Sequence, residues 1–417
     1  MPRVSPFLLA ALGVAAIPAA VRATTAPAWV RSYAAAYSAS RLATAHASIP
    51  AWARKYNMNC AGCHYPSPPR LNGTGQRFKW AGYRMPDEIG EQVAVEKLQN
   101  YISAGAEMDF TYEKTSGNPA AASNVFSAPD VALFYAGPLA RNVAGFFELA
   151  FGPDGEIERV AQISTIWGTE KSYGGFRGGQ FHNLAEWGVA GFDRLTGPTM
   201  PLGLDGPITG TIPFSLGGPR LGVEAYFVAG ANRLSAQLLN GVASDGTGDV
   251  GEGNLKKDFL VTDQFLLDDA GSGVQVVAYY GSVVDLDTLT SPGLASHFWR
   301  VGVSANKIYH AFELLGGLLY ARDRDLPGGA PETKGTAYWV SGQYFLTKPA
   351  LTLYGRYEFL DPNTSTAADG MQRYVLGSVL PVTLPEYLRC AVEYHLDAPQ
   401  GGLPKTSNVT ATLALTF

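Results

Sequence analysis

From about residue 100 onward the chain is written in a two-residue period. In "YISAGAEMDFTYEK", Ile102, Ala104, Ala106, Met108, Phe110 and Tyr112 fall on one face and Ser103, Gly105, Glu107, Asp109, Thr111 and Glu113 on the other. In "NVAGFFELAF", Val143, Gly145, Phe147, Leu149 and Phe151 oppose Asn142, Ala144, Phe146, Glu148 and Ala150. In "LRCAVEYHL", Leu388, Cys390, Val392, Tyr394 and Leu396 oppose Arg389, Ala391, Glu393 and His395. The last stretch, "VTATLALTF", sets Val409, Ala411, Leu413, Leu415 and Phe417 against Thr410, Thr412, Ala414 and Thr416. One face of such strands suits lipid and the other water. That places Cys390 on the apolar face, as a small hydrophobe.

Charged residues make up 16% of the chain, against about 25% in ordinary soluble domains. Beyond the N-terminus no run of apolar residues is long enough for a membrane helix. A chain that enters a bilayer with strands must close its sheet, because an open edge leaves backbone groups unpaired in lipid. The expected fold is mainly β, a single-chain outer-membrane β-barrel. At roughly 20 residues per strand with its turn or loop, Lys97 to Phe417 supplies about 16 antiparallel strands. A terminal strand closing on Phe417 resembles the C-terminal signal of bacterial outer-membrane barrels. An exported β-sandwich would also alternate, but seldom over so many evenly spaced strands without a domain break. The polar, turn-rich stretches Ala243 to Asp258, Ala321 to Gly335 and Leu360 to Gly370 are expected as outer loops. Asp245, Asp249 and Glu252 in the first do not have EF-hand spacing and read as a solvated loop. The net charge of -5 argues against a nucleic-acid partner.

The N-terminus carries different chemistry. Arg3, the apolar run Phe7 to Val21 and the small-residue site "VRA" read as a secretory signal cut after Ala23. Further on, Cys60-Ala61-Gly62-Cys63-His64 has the C-x-x-C-H form of a c-type haem attachment site, in which two thiols add to the haem vinyls and the histidine ligates iron. A structural zinc site needs a second ligand pair, and the only other cysteine is Cys390. A thioredoxin-like pair needs a βαβ context, and a plain disulfide leaves His64 unexplained. Two short helices flank the motif: "SIPAWARKYN", with Ser48 as N-cap, and "LNGTGQRFKWAG", ended by Gly82. Neither can bury a core alone, so this segment is expected to fold around its cofactor and rest in or at the barrel lumen. His64 is the proximal iron ligand on this reading. Met85, Met58 and His46 compete for the distal position, and Met85, beyond a helix that carries the chain across the ring, is favoured. Arg70, Arg77 and Lys79 are candidates for the haem propionates.

Cys60 to His64, the prolines after it, Leu71, Asn72, Gly75, Phe78 and the "GYRMP" of Gly82 to Pro86, ahead of a barrel ending in Phe417, together resemble the fused outer-membrane monohaem cytochrome-porins of iron-oxidising bacteria. The match is specific over about residues 52 to 88 and architectural beyond. The resemblance implies residues 1–23 as signal peptide, 24–96 as a c-type cytochrome segment and 97–417 as a porin-like barrel. It implies one haem c that passes electrons from an extracellular donor, Fe(II) above all, to periplasmic c-type cytochromes, an iron:cytochrome oxidoreductase activity in the outer membrane. The alternative is a diffusion porin with a haem-bearing plug or gate, for which Glu107, Asp109, Glu148, Arg356, Arg389 and Glu393 would line a charged constriction. A haem sensor or peroxidase would want a distal histidine beside an arginine, and no such pair is evident near the motif.

Overall fold

The computed structural model describes residues 51–416 apart from 59, 66–69, 118–121, 152–156, 183–191, 193–194, 213, 242–256, 285–294, 327–329, 348–349 and 383–387. The alternating stretches become β1 (Ile102–Thr115), β2 (Ser123–Ala140), β3 (Val143–Phe151), β4 (Ile157–Thr165), β5 (Trp167–Thr169), β6 (Ser172–His182), β7 (Pro219–Ala229), β8 (Asn232–Asn240) and β9 (Lys257–Leu266). They continue with β10 (Gly273–Val284), β11 (Ala295–Tyr309), β12 (Phe312–Arg324), β13 (Thr333–Thr347), β14 (Ala350–Asp361), β15 (Met371–Pro381), β16 (Leu388–Pro399) and β17 (Thr406–Thr416). Neighbours in sequence pair antiparallel, and β17 returns to β1 with Met108 opposite Leu413, so the sheet closes. β4 and β5 both pair with β6 and are one strand broken at Ile166, whose amide turns aside to the Asn142 carbonyl. The result is a closed antiparallel barrel of 16 strands.

Two-residue turns, as at 141–142, 170–171, 230–231 and 310–311, gather at the end where β1 begins and β17 stops. Longer connections gather at the other end, which in outer-membrane barrels faces outside. Three of these correspond to the loops expected from sequence, although β9 and β12 extend further into them than polarity suggested. Asp245, Asp249 and Glu252 lie outside the described residues.

The faces follow the alternation. Met108, Leu149, Phe151, Val392, Tyr394 and Leu413 point outward and are exposed, whereas Glu393, Asn408, Thr412 and Ala414 point inward and are buried. Cys390 is half-buried on the outer face.

The lumen is occupied from both ends. From outside, the described part of the β6–β7 connection, Phe192 and residues 195–218 apart from 213, folds inward instead of standing as a polar loop. Its Phe192, Leu204, Ile208, Ile212 and Phe214 pack on the inner-wall side chains of Val277, Phe298, Leu319 and Trp339. Its short helix α3 (Leu202–Asp205) lies so close to the wall that a Cβ at Gly203 would sit 2.5 Å from that of Ala337. From the short-turn end enters the N-terminal segment, with α1 (Ala51–Tyr56) and α2 (Gly73–Trp80). Asn72 caps α2 by accepting the Gly75 amide at 3.0 Å, and Gly82, at φ +72°, turns the chain after the helix. The first helix is described from Ala51, and Ser48, its expected N-cap, lies outside the described residues.

Between the two inserts the inner wall of β7 to β13 changes character with depth. On β9 the inward row reads Leu266, Gln264, Thr262, Leu260, Asp258 from the short-turn end, and on β12 Glu313, Leu315, Leu319, Asp323. A polar belt separates the apolar layer under the N-terminal segment from that under the inward loop. Its charges are paired: Glu224 bonds Arg177 at 2.8 Å and Arg233 at 2.9 Å, all three side chains fully buried. Low-dielectric burial of this kind is tolerable only with such compensation.

Candidate functional site

Cys60–Gly62 forms a 3₁₀ turn, and the amides of Cys63 and His64 both donate to the Cys60 carbonyl, at 3.1 and 2.8 Å. One turn therefore presents both thiols and the imidazole together. Neither Cys60 nor Cys63 is bridged in a disulfide, and burial pushes the Cys63 thiol up to about 11. The turn is backed on two sides. The Met58 side chain folds over Gly62, where a Cβ would meet its methyl at 2.5 Å, and α2 rests on Cys63, whose carbonyl would lie 2.2 Å from a Cβ at Gly75. Asn72 ties the same pieces together, its Nδ2 donating to the Ala61 and Gly62 carbonyls at 3.1 and 3.2 Å.

His64 Nδ1 lies 2.9 Å from the Arg70 carbonyl, and a carbonyl can only accept, so the proton of the neutral ring sits on Nδ1 and the lone pair on Nε2. This is how metal-binding histidines are oriented: one ring nitrogen is anchored to a backbone acceptor and the other is left as the ligand. The bond also ties the motif to the barrel. Arg70 Nη2 reaches Glu313 on β12 at 2.7 Å, both side chains buried. Glu313 further accepts from Asn306 on β11 and Gln343 on β13, and the Gln343 carbonyl accepts from Thr196 of the inward loop. A continuous bonded chain thus runs from His64 through the wall to the outer insert.

Other contacts spread the segment across the short-turn mouth. Tyr65 donates to the His310 carbonyl at 2.8 Å, Arg77 pairs with Asp269 at 2.8 Å, and Arg84 donates to the Arg141 and Val143 carbonyls at 3.0 Å. Trp52 Nε1 donates to Ala136 O at 2.8 Å, and Tyr83 stacks between Trp52 and Phe146. Arg70 and Arg77, expected at the propionates, pair here with carboxylates far away in sequence, Glu313 on β12 and Asp269 in the β9–β10 turn. Lys79 is buried. In the same cluster the buried Trp80 Nε1 and Tyr173 hydroxyl have no hydrogen-bond partner among the described residues.

Met85 is held by a different set of contacts. It heads the 3₁₀ turn Pro86–Glu88, its amide donates to Glu88 at 3.0 Å, and its half-buried side chain packs on the aromatic cluster that includes Phe78 and Tyr83. Glu88 also bonds Tyr56, and Lys55 at 2.8 Å; burial opposes its charge, but these donors prevail and hold it below the usual carboxylate range. Met58 lies on the motif, Met108 on the lipid face, and His46 outside the described residues. Of the expected constriction residues, Arg356 donates to Thr199 O of the inward loop at 2.7 Å and pairs with Glu358, while Glu393 accepts from Tyr354 at 2.8 Å. Glu107, Asp109, Glu148 and Arg389 stand partly exposed on the inward faces of β1, β3 and β16. The sequence reading missed Glu313 and the inward loop.

No protein-family model matches the chain, and no curated protein matches it. Solved structures do match in fold. A loop-deletion form of OmpT, an outer membrane protein of Vibrio cholerae, aligns over 76% of this chain and 99% of its own with a TM-score of 0.54 and 12% identity. The outer membrane channel DcaP of Acinetobacter baumannii aligns over 76% and 96%, with a TM-score of 0.54 and 13% identity. OprB of Pseudomonas putida aligns over 76% and 94%, with a TM-score of 0.52 and 10% identity. The chain has the fold of an outer-membrane β-barrel of the porin and channel kind, preceded by a small helical segment.

Proposed function

We propose that this protein is an outer-membrane electron-transfer protein that carries one haem c, bound through Cys60 and Cys63 with His64 as proximal iron ligand, and passes electrons from extracellular Fe(II) to periplasmic c-type cytochromes. The observation that carries this reading is the C-x-x-C-H turn with His64 Nδ1 bonded to the Arg70 carbonyl, set in the periplasmic mouth of a barrel. The residues fit the group: two unbridged thiols share one turn with an oriented imidazole, and in the cluster that α2 enters the buried donors Trp80 Nε1 and Tyr173 OH have no acceptor among the described residues. Haem, when bound, contributes a one-electron Fe(III)/Fe(II) couple.

The chain's own residues do the rest. Arg70 and Asn72 fix the turn, and Gly75 lets α2 lie against it. The aromatic cluster of Trp52, Phe78 and Tyr83 excludes water from the neighbouring wall, and a dry surround of this kind raises a potential. Met85 is proposed as distal ligand, with Met58 and His46 as the alternatives. A barrel's apolar band is about 25 Å tall, too thick for redox partners on its two sides to touch, so a cofactor held within the lumen is a reasonable relay. Stopped-flow addition of Fe(II) to outer-membrane vesicles tests the reading: the haem spectrum should become that of the reduced form while solute flux stays low. Large solute flux with no reduction by Fe(II) would favour the second reading, a diffusion porin with a haem-bearing plug, which the likeness to an outer membrane channel keeps in view.

A further inference from the structure

On the outward face of β12 the alternate residues are Phe312, Leu314, Gly316, Leu318, Tyr320, Arg322 and Arg324. Phe312 belongs to an inner aromatic group with Tyr309 and Tyr344, to which it is joined by strand register, and all three are exposed. Tyr320 belongs to an outer group, its ring 5.7 Å from that of Trp299. The two groups are eight residues apart, about 27 Å along the strand and about 20 Å of depth at the usual barrel tilt, close to the height of the apolar band between two aromatic girdles. Each further two-residue step adds about 5 Å of depth. Arg322 and Arg324 therefore stand at the level of the outer headgroups.

A third cation joins them, because register puts Lys334 of β13 opposite Arg322. Arg322 pairs with Glu332, Arg324 reaches the same carboxylate at 2.9 Å and Lys334 at 3.4 Å. Three cations share one carboxylate, and Arg322 Nε has no hydrogen-bond partner among the described residues. On the other side of β12, register puts Trp299 of β11 opposite Arg322, its ring 5.9 Å from the guanidinium, so an apolar surface adjoins the cations. Arg324 and Lys334 are about half exposed. Outward-facing excess positive charge at headgroup depth, beside an aromatic ring, matches a phosphorylated lipid whose tails descend along the barrel.

We infer that Arg322, Arg324 and Lys334 form a binding site for the phosphates of an outer-leaflet glycolipid of the lipopolysaccharide type, with Glu332 holding the cations together in its absence. This rests on the barrel and its orientation and is independent of the haem reading.

The test is native mass spectrometry of the full chain in detergent, titrated with bisphosphorylated lipid A, with dephosphorylated lipid A and with inorganic phosphate. The wild type should bind the bisphosphorylated lipid at least tenfold more tightly than the dephosphorylated one, and inorganic phosphate at equal concentration should not displace it. Replacing Arg322, Arg324 and Lys334 together by Gln should weaken binding at least tenfold, whereas Lys257→Gln, a cation on β9 at the same rim that donates to Asn240, should change nothing. Glu332→Gln removes the competing anion and should tighten binding several-fold; it also serves if the triple variant fails to assemble. Equal affinity for the dephosphorylated lipid, unchanged binding in the triple variant, weaker binding in Glu332→Gln, or displacement by inorganic phosphate would each overturn the assignment.

Discussion

Glu313→Gln isolates what the barrel contributes to the C-x-x-C-H turn. The substitution keeps the shape of the side chain and removes its charge, leaving the Arg70 guanidinium buried with no anion at 2.7 Å. Breaking a buried pair from one side costs about 3–5 kcal/mol, because the remaining charge is stranded. Glutamine still hydrogen-bonds, so the lower end, about 3 kcal/mol, is the better expectation, which is roughly a hundredfold in an opening equilibrium. The cost falls on the docking of residues 63–72, since Arg70 also supplies the carbonyls for His64 Nδ1 and for the Tyr65 amide. Hydrogen exchange reads it directly. The amides of Tyr65 and Asn72, which donate to Arg70 O and Cys63 O, should exchange about a hundredfold faster, while amides of the β13–β14 ladder keep their rates. Adding Arg70→Met should restore much of the protection, because an uncharged pair strands nothing, and the cycle should give a coupling of about 2–3 kcal/mol. Unchanged exchange in Glu313→Gln, or strictly additive effects in the double variant, would refute the reasoning.

Met85→His should keep the haem attached and lower its potential, measured by spectroelectrochemistry, since methionine ligation raises potential relative to histidine; an unchanged spectrum and potential would pass the distal role to Met58, His46 or no residue. Removal of residues 24–96 behind an intact signal should raise single-channel conductance in planar bilayers, and an unchanged conductance would mean that the segment does not obstruct the pore. The folded-state pKa of Glu88 is depressed, so its contribution to docking α1 is present above its unfolded pKa and is lost as pH falls through the folded one; tryptophan fluorescence should show an acid transition that Glu88→Gln abolishes.

The sequence made the barrel legible where one strand face meets lipid and the other meets water, as in β1, β3, β16 and β17. It was least legible where both faces are buried. "VQVVAYYGSVV" in β10 and "FELLGGLLYA" in β12 are apolar on both sides because Val277, Tyr279, Leu315 and Leu319 pack on the inward loop while their neighbours face lipid. That loop carries no period. Its glycines and prolines resemble a surface connection, and only its apolar content, Phe192, Leu204, Ile208, Ile212 and Phe214, signals that it is buried. Around the motif the helices, the Asn72 cap and the Gly82 terminator follow from local chemistry. The carboxylates that claim Arg70 and Arg77, Glu313 and Asp269, lie some two hundred residues further on and are joined to them only by the closure of the barrel. A local reading therefore named the propionates for those arginines and had no means of seeing these carboxylates.

The central claim is tested most directly by the intact mass of the chain purified from the outer membrane of a host that matures c-type cytochromes. The account predicts the mass of the mature polypeptide plus one haem, retained under denaturing conditions and lost when Cys60 and Cys63 are both replaced by alanine. A wild-type chain that carries the polypeptide mass alone would contradict it.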